Sequence, residues 1–311
     1  MFKCVAEVDG VRVDKYVRSV FPGIAQSFIE KSLRKGSILL NGSKVLACTR
    51  VKIGDVLSIK DVEQISTKER KKGASSATHC DAIMRSLSGM IAYEDEHVVV
   101  LNKPAGISVQ GGTKIRASID DVLDRIVPGV SLRIVHRLDR DTSGVLVLSK
   151  SLDVARCFAE EMRSRRVQKE YIAITHGVPD AIGEITHPVF YKRKKPSDAE
   201  KEIVNKEAKT LFSVVVHRDG HAIVSLQPLT GRKHQLRIHL STIGCPIVGD
   251  TKYSKDANKG DNLHLHARKI GFEIMGKKVE VFAPVPNYMR ETAKTLFGID
   301  MEHFLPGHFT S

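Results

Sequence analysis

Residues 136–150 read HRLDRDTSGVLVLSK. The first part of the stretch holds His136, Arg137, Asp139, Arg140 and Asp141, whereas Val145 to Leu148 are wholly apolar. Four consecutive aliphatic residues after a Thr-Ser-Gly turn read as a strand buried on both faces. Charges are costly beside such an interior unless they are paired or put to use. Arg140 and Asp141 are neighbours and can satisfy one another. Asp139 is then left in a loop between two expected strands, RIVHRLD before it and GVLVLSK after it. A loop aspartate near an arginine is more often a structural ion pair than a catalyst, and this pattern alone does not choose between them.

The chain has 311 residues, 41% of them hydrophobic, enough for one large domain or two smaller ones with real cores. Its formal net charge of +13 points to a polyanionic partner, nucleic acid being the commonest, although a lysine-rich solvated surface has the same balance. Cys4, Cys48, Cys80, Cys157 and Cys245 are odd in number and form no C-x-x-C pair, which argues against a disulfide framework and a structural zinc site. No apolar run approaches a membrane span. The N-terminal MFKCVAEVDGVRVDKYV lacks the apolar centre of a signal peptide. The expectation is a cytoplasmic protein with no membrane association.

Residues 1–62 read as a small module. Val13, Tyr16, Val17 and Val20 share one face of a helix. Ser27 followed by Glu30 reads as a capping box opening a second helix, and Gly36 as its end. Asn41-Gly42 between apolar runs is a strong hairpin signal. Residues 1–60 carry 11 Lys/Arg against 5 Asp/Glu, a net of +6, so two basic helices and a hairpin can offer phosphate a positive face. Residues 63–87, with KERKKG and ASSAT, lose periodicity and read as a basic linker.

Residues 88–311 read as a larger domain. HVVVLNKPAG, EYIAITHGV, LHLHARKIGFEI and KKVEVFAPVP have the composition and alternation of strands. FSVVVHRDGHAIVSLQPL reads as a hairpin turning at Asp219-Gly220. Ser151 is placed to cap a helix running to about Arg166, with Ala155, Phe158, Ala159 and Met162 on one face. HQLRIHLSTIG reads as a helix with Leu236, Leu240 and Ile243 on one face. Strand-rich order without regular βαβ alternation implies an α+β domain with a mostly antiparallel, mixed sheet.

Several stretches together resemble one family. HRLDRDTSGVLVLSK is similar to the signature of the RluA family of RNA pseudouridine synthases. VLNKPAGISVQGG, KEYIAITHG, LTGRKHQLRIHLSTIGCPIVGDTKY and NLHLHA resemble further family stretches in the same order. Residues 1–62 resemble the alpha-L RNA-binding module that many members carry in front. Gln110 stands where the family often has His, with no chemical role put in doubt.

The resemblance implies a pseudouridine synthase fold, activity on uridines of large-subunit ribosomal RNA, and a role for four residues. Asp139 matches the catalytic aspartate. Tyr171 matches the active-site tyrosine, Arg237 the basic residue that pairs with the aspartate, and Arg137 an arginine that enters the base stack. Elementary chemistry fits these roles. The reaction detaches uracil from ribose, turns it and rejoins it through carbon, so no group is lost and no electrons are exchanged. No nicotinamide, flavin or nucleotide cofactor is therefore expected, and no Rossmann or P-loop fingerprint is present in the sequence. A carboxylate can act as the nucleophile if a cation opposes the rise in pKa that burial causes. A stacked base must flip out to be reached, and a planar guanidinium can fill the gap.

Plainer readings compete at several positions. Arg140 and Asp141 pair with each other. His264 and His266 lie two apart, but without a third ligand at metal spacing a packed strand is the better reading. His234 orders its loop. A non-catalytic RNA binder has no need of Asp139, Tyr171 and Arg237 together. A hydrolase using Asp139 and Asp141 would need them to flank a glycosidic bond, which two positions in one short loop do not do. The chain is expected to act as a monomer.

Overall fold

The computed structural model describes residues 1–21, 26–60, 78–112, 115–194, 201–258 and 260–304. They gather into two units: Met1–Asp81 with Gly111–Ala117 and Arg193–Glu202, and Ala82–Gln110 with Ser118–Lys192 and Ile203–Ser311. In the first unit, β1 (Phe2–Val5), β2 (Ile38–Leu40) and β3 (Val56–Ile59) form an antiparallel sheet with β3 central. Helices α1 (Val13–Val20) and α2 (Gln26–Lys35) complete the fold. Val13, Tyr16 and Val17 bury the expected face of α1 against Ile29, Leu33 and Leu57.

Asn41 and Gly42 both take positive φ, 51° and 76°, as a two-residue hairpin turn requires. The hairpin nevertheless closes only one bridge, Leu40 to Ser43. The strand partner of β2 is β3, whose Leu57 and Ile59 pair with Leu40 and Ile38 and share their core. Helix α2 already begins at Gln26, so Ser27 stands inside its first turn and not at the cap position the sequence suggests. Most of the expected linker falls at 61–77, outside the described residues, and its end, 78–87, is helical (α3), with Ile83 and Leu87 buried one turn apart.

The second unit is built on a large sheet. Its strands are β4 (Ile91–Glu94), β5 (Val98–Lys103), β6 (Arg133–Ile134), β7 (Ser143–Ser149), β8 (Gln168–His176) and β9 (Ile182–Ile185). After β10 (Val189–Lys194) and β11 (Lys201–Lys206) come β12 (Thr210–Arg218), β13 (His221–Pro228), β14 (Leu265–Ile274) and β15 (Lys277–Phe282). The order is β4-β5-β7-β14-β8-β13-β12-β9, with β6 on β7 and β15 on β14. Every pairing is antiparallel except β7 with β14, so the sheet is mixed and mostly antiparallel, as expected. Helices α4 (Leu123–Ile126), α5 (Leu152–Arg163), α6 (Gln235–Thr242), α7 (Asn287–Phe297) and α8 (Met301–Phe304) flank it.

Alternation along β8 sets its two faces. Ile172 and Ile174 pack with Met289, Ala293 and Phe297 of α7. Tyr171 and Ala173 turn the other way, toward Leu236 and Leu240 of α6. Ile243 does not join them: it caps α6 and is 38% exposed. Ser151 caps α5 as expected, its side chain accepting from the Val154 amide at 3.2 Å. On that helix Val154 and Phe158 are buried, while Ala159 is exposed.

All seven residues of β7 are buried, as its apolar run demands. At its start, Gly144 has φ +109° and runs beside Ala267 of the parallel neighbour β14. A Cβ there would collide with the Ala267 carbonyl, so only glycine lets the loop enter the sheet at this point.

Candidate active site

The strand before the Asp139 loop is shorter than expected, only Arg133–Ile134. Beyond it the chain leaves the ladder, and a side chain takes over. Nε2 of His136 accepts the Val147 amide at 2.8 Å, and its ring stacks on Phe158 at 5.8 Å. Burial, helped by the charge of Lys169, pushes the His136 pKa down to about 3, so the ring is a neutral acceptor at pH 7. Leu138 is buried alongside.

Beneath the loop lies Lys103, which has no exposed surface. Its ammonium donates to the carbonyls of Pro104, Ile107 and Arg140 at 2.7, 3.0 and 3.1 Å. Burial pulls its pKa down to about 7, against the opposing pull of Asp141 and Asp139. Arg140 forks onto Asp141 at 2.8 and 3.1 Å, the pairing the sequence suggests. The charge cluster beside the buried strand is therefore largely anchorage. His136 replaces a ladder bond, Lys103 rivets the backbone, and Arg140 and Asp141 hold each other.

Asp139 is the exception. It faces a cleft of about 420 Å³ that is also lined by Arg137, Lys169, Tyr171, His234 and Arg237. All four residues singled out in the sequence thus reach one hollow. Tyr171 sits mid-sheet on β8, opposite Leu226 of β13 and Ala267 of β14. Burial and the neighbouring charge of Asp139 push its hydroxyl pKa well above the ordinary value, so it stays protonated. Arg137 is exposed at the rim.

Arg237 departs from expectation. Its ion pair is with Asp250, not Asp139: Nε and Nη2 donate to the Asp250 carboxylate at 2.8 and 2.6 Å. Asp250 is fully buried and also accepts the amides of Lys252 and Tyr253 at 3.0 and 3.1 Å. Burial works against the Arg237 charge, but the hydrogen bonds and charge of Asp250, and then the charge of Asp139, raise its pKa overall. The guanidinium reaches Asp139 through its field. Arg237 is itself buried, only 7% exposed.

His234 does more than order a loop. It starts α6 in the left-handed region, φ 57°, and its Nε2 stands 3.9 Å from Asp139 Oδ1. Its Nδ1 lies 2.9 Å from the Tyr253 hydroxyl and 3.3 Å from the Lys252 ammonium. An ammonium only donates, so Nδ1 accepts and the proton of the neutral ring sits on Nε2, toward Asp139. Burial lowers the His234 pKa to about 4, partly opposed by Asp139.

Motif reading gives no role to Asp250 or Lys103 and only loop ordering to His234. Asp250 lies in the quoted GCPIVGDTKY stretch, but nothing in its local pattern signals a partner 13 residues back on a helix. His264 and His266 are engaged by hydrogen bonds, His264 with Thr292 at 2.9 Å and His266 with Ser143 at 2.9 Å. No group of three or more candidate metal ligands occurs among the described residues. No helix among the described residues is long and apolar enough to cross a membrane.

Residues 97–242, which include Asp139, Tyr171 and Arg237, match the family model described as RNA pseudouridylate synthase. A ribosomal large subunit pseudouridine synthase C of Rickettsia felis is 33% identical over 90% of this chain and 95% of its own length. One from Buchnera aphidicola subsp. Schizaphis graminum is 33% identical over 92% of this chain and 93% of its own. The solved structure of human RNA pseudouridylate synthase domain containing 4 superposes with a TM-score of 0.59 at 29% identity, covering 70% of this chain and 96% of that one. Fold and comparisons together define an RNA-modifying isomerase. The chain belongs to the RluA family of RNA pseudouridylate synthases.

Proposed function

We propose that this chain isomerises specific uridines of large-subunit ribosomal RNA to pseudouridine, with the Asp139 carboxylate as covalent nucleophile. The observation that carries the reading is the company Asp139 keeps. It is a carboxylate without a clasping cation, in one cleft with a protonated tyrosine and a guanidinium already held by another carboxylate. A carboxylate locked in its own ion pair is a poor nucleophile; one supported by a cation's field stays ionised and keeps its lone pairs.

The other residues position and support. The Tyr171 ring offers uracil an aromatic face, and its hydroxyl can donate to a ring oxygen. The buried Arg237–Asp250 pair keeps positive charge near Asp139 without occupying it. Nε2–H of His234 points a further donor at the same carboxylate. Arg137, exposed at the rim, fills the gap that a flipped uridine leaves in its stack. Residues 1–62, with their basic balance, act as an RNA-binding module ahead of a catalytic domain at 88–311. The enzyme acts in the cytoplasm as a monomer. The bond from ribose to the uracil ring nitrogen is replaced by one to a ring carbon, a proton passes from that carbon to the nitrogen, and the bond Asp139 makes in between is broken again, so with no net redox change the scheme calls for no cofactor.

The test is to map pseudouridines in large-subunit ribosomal RNA from cells with and without the protein, and to incubate the unmodified RNA with purified enzyme. Specific new pseudouridines are expected, with no free uracil. Release of uracil would make the enzyme a hydrolase, and unchanged maps would remove the ribosomal substrate.

A further inference from the structure

The cleft that holds Asp139 does not end at Arg232. It runs into a second hollow of about 530 Å³, and Met162, Lys169, Pro228, Thr230, Gly231 and Arg232 line both. The second hollow carries five basic side chains, Arg163, Arg165, Lys169, Arg232 and Lys269, against one carboxylate, Glu170. This is not the general character of the surface. A hollow of about 620 Å³ beside His264 and Tyr288 has Asp261 and Glu291 in its wall and no lysine or arginine.

Three of these cations, Arg165, Lys169 and Arg232, are in no ion pair with a carboxylate among the described residues. Arg163 is bound to Glu160 and Lys269 to Glu280, and Arg232 donates to the Glu207 carbonyl at 3.1 Å. Lys169 is half-buried, in no ion pair, and its pKa is lowered by burial. A half-buried cation without a counter-charge is unfavourable unless a ligand brings one.

Arg165 is held in a conformation that arginine disfavours. Helix α5 ends in a Schellman turn: the Arg166 amide donates to the Glu161 carbonyl at 3.0 Å and the Arg165 amide to Met162 at 3.4 Å. The residue at the turn must be left-handed, and Arg165 has φ +56°. Glycine is the usual occupant there. An exposed arginine at that position, lining the basic groove, points to a use for its side chain.

We propose that Arg165, Lys169 and Arg232 bind the phosphodiester backbone of the single RNA strand leading away from the target uridine. The inference rests on the RNA-modifying reading above. Its occupant is a single strand, because the groove opens from the cleft that must receive a flipped base. The phosphates supply the counter-charge that Lys169 lacks, and Arg165 reaches them from the helix end.

Arg165→Gly separates structure from binding, because the two effects have opposite signs. Glycine relieves the left-handed turn, so the melting temperature should stay level or rise. Affinity for a single-stranded dodecamer of uridine should fall several-fold at low salt, and the slope of log affinity against log salt should flatten by about 0.7 for one lost phosphate. Arg165→Lys keeps the charge and should keep the slope. With unmodified ribosomal RNA as substrate, Arg165→Gly should raise KM and leave kcat nearly unchanged. An Arg165→Gly enzyme with wild-type affinity and slope overturns the groove assignment. A wild-type enzyme that forms no pseudouridine at all overturns the underlying reading instead.

Discussion

Asp141 is gripped by the guanidinium beside it in sequence, and both partners of that pair are well exposed, at 64% and 38%. Asp139, two residues earlier, has no such grip. It looks into the cleft, with His234 3.9 Å away and Arg237 already committed to Asp250. Both are aspartates in one loop, and what separates them is which neighbouring cations are already taken. Around Asp141 the nearest cation is spent on it. Around Asp139 the guanidinium of Arg237 and the ring of His234 have other partners, and Lys169, in the same cleft, is in no ion pair, so charge is present without a clasp. A loop can therefore hold one carboxylate as an anchor and leave its neighbour available for chemistry.

The largest effect is expected for Asp139→Asn. The amide is nearly isosteric, so the loop, tethered by His136 and Lys103, should keep its shape. Turnover should fall on the order of 10⁴-fold or more, as when a covalent nucleophile is removed. Melting temperature and RNA affinity should hold, since phosphate contacts come from Lys and Arg side chains. Near-normal pseudouridine formation by this variant would shift the nucleophile elsewhere.

That contrast was only half visible in the sequence. The Arg140–Asp141 pair is legible because its partners are adjacent. The strands and hairpins are legible because alternation and Asn-Gly or Asp-Gly turns are local signals. The cleft draws on residues as far apart as Asp139 and Arg237, and only family resemblance brought those together. Even then the resemblance assigned Arg237 to Asp139, whereas the guanidinium binds Asp250, a long-range partner that no periodicity announces. The helix at 78–87 was hidden by a polar surrounding stretch, although Ile83 and Leu87 lie one turn apart.

Next in size is the Arg237–Asp250 pair, where the comparison can be broken directly. Arg237→Met leaves Asp250 buried without its cation, which should cost about 3–5 kcal/mol in denaturant unfolding. Adding Asp250→Asn removes the stranded charge yet keeps an acceptor for the Lys252 and Tyr253 amides, so much of that stability should return. If the cation serves Asp139, turnover of the double variant stays low even though the fold is restored. Recovery of turnover with stability would reduce Arg237 to a structural residue.

His136 gives a smaller, pH-dependent effect on the tether of Asp139. Its folded pKa of about 3 lies below the ordinary 6.5, so the unfolded chain takes up the proton first. The contribution of the neutral ring is whole above pH 6.5 and is lost as pH falls toward 3, at about 1.4 kcal/mol per pH unit. His266, lowered to about 4 mainly by burial, adds in the same direction. Urea unfolding between pH 7.5 and 5 should show the slope, and His136→Asn should flatten it. Protection of the Val147 amide, its exchange rate relative to the unfolded chain at the same pH, should fall with acid in the wild type, since its acceptor is that ring. A slope identical in the variant would mean the tether is not what titrates.

The smallest effect belongs to Asp141→Asn, and its pH dependence sharpens the comparison most. Exposed pairs are worth about 0–1 kcal/mol, so loss of the Arg140 contact alone should barely move stability. Asp141 has a second role, because its charge helps keep the buried Lys103 ammonium protonated. That ammonium donates to three carbonyls, one of them in the loop itself. Below the Lys103 pKa of about 7 the folded protein holds the charge, and removing Asp141 withdraws an attraction. Above it the lysine is neutral in the fold with or without Asp141, so that part of the loss vanishes. The destabilisation by Asp141→Asn should therefore be larger at pH 6 than at pH 9, while pseudouridine formation persists at both. Equal cost at the two pH values would confine Asp141 to its exposed pair with Arg140. A dead enzyme would mean that the anchoring and reacting carboxylates had been exchanged.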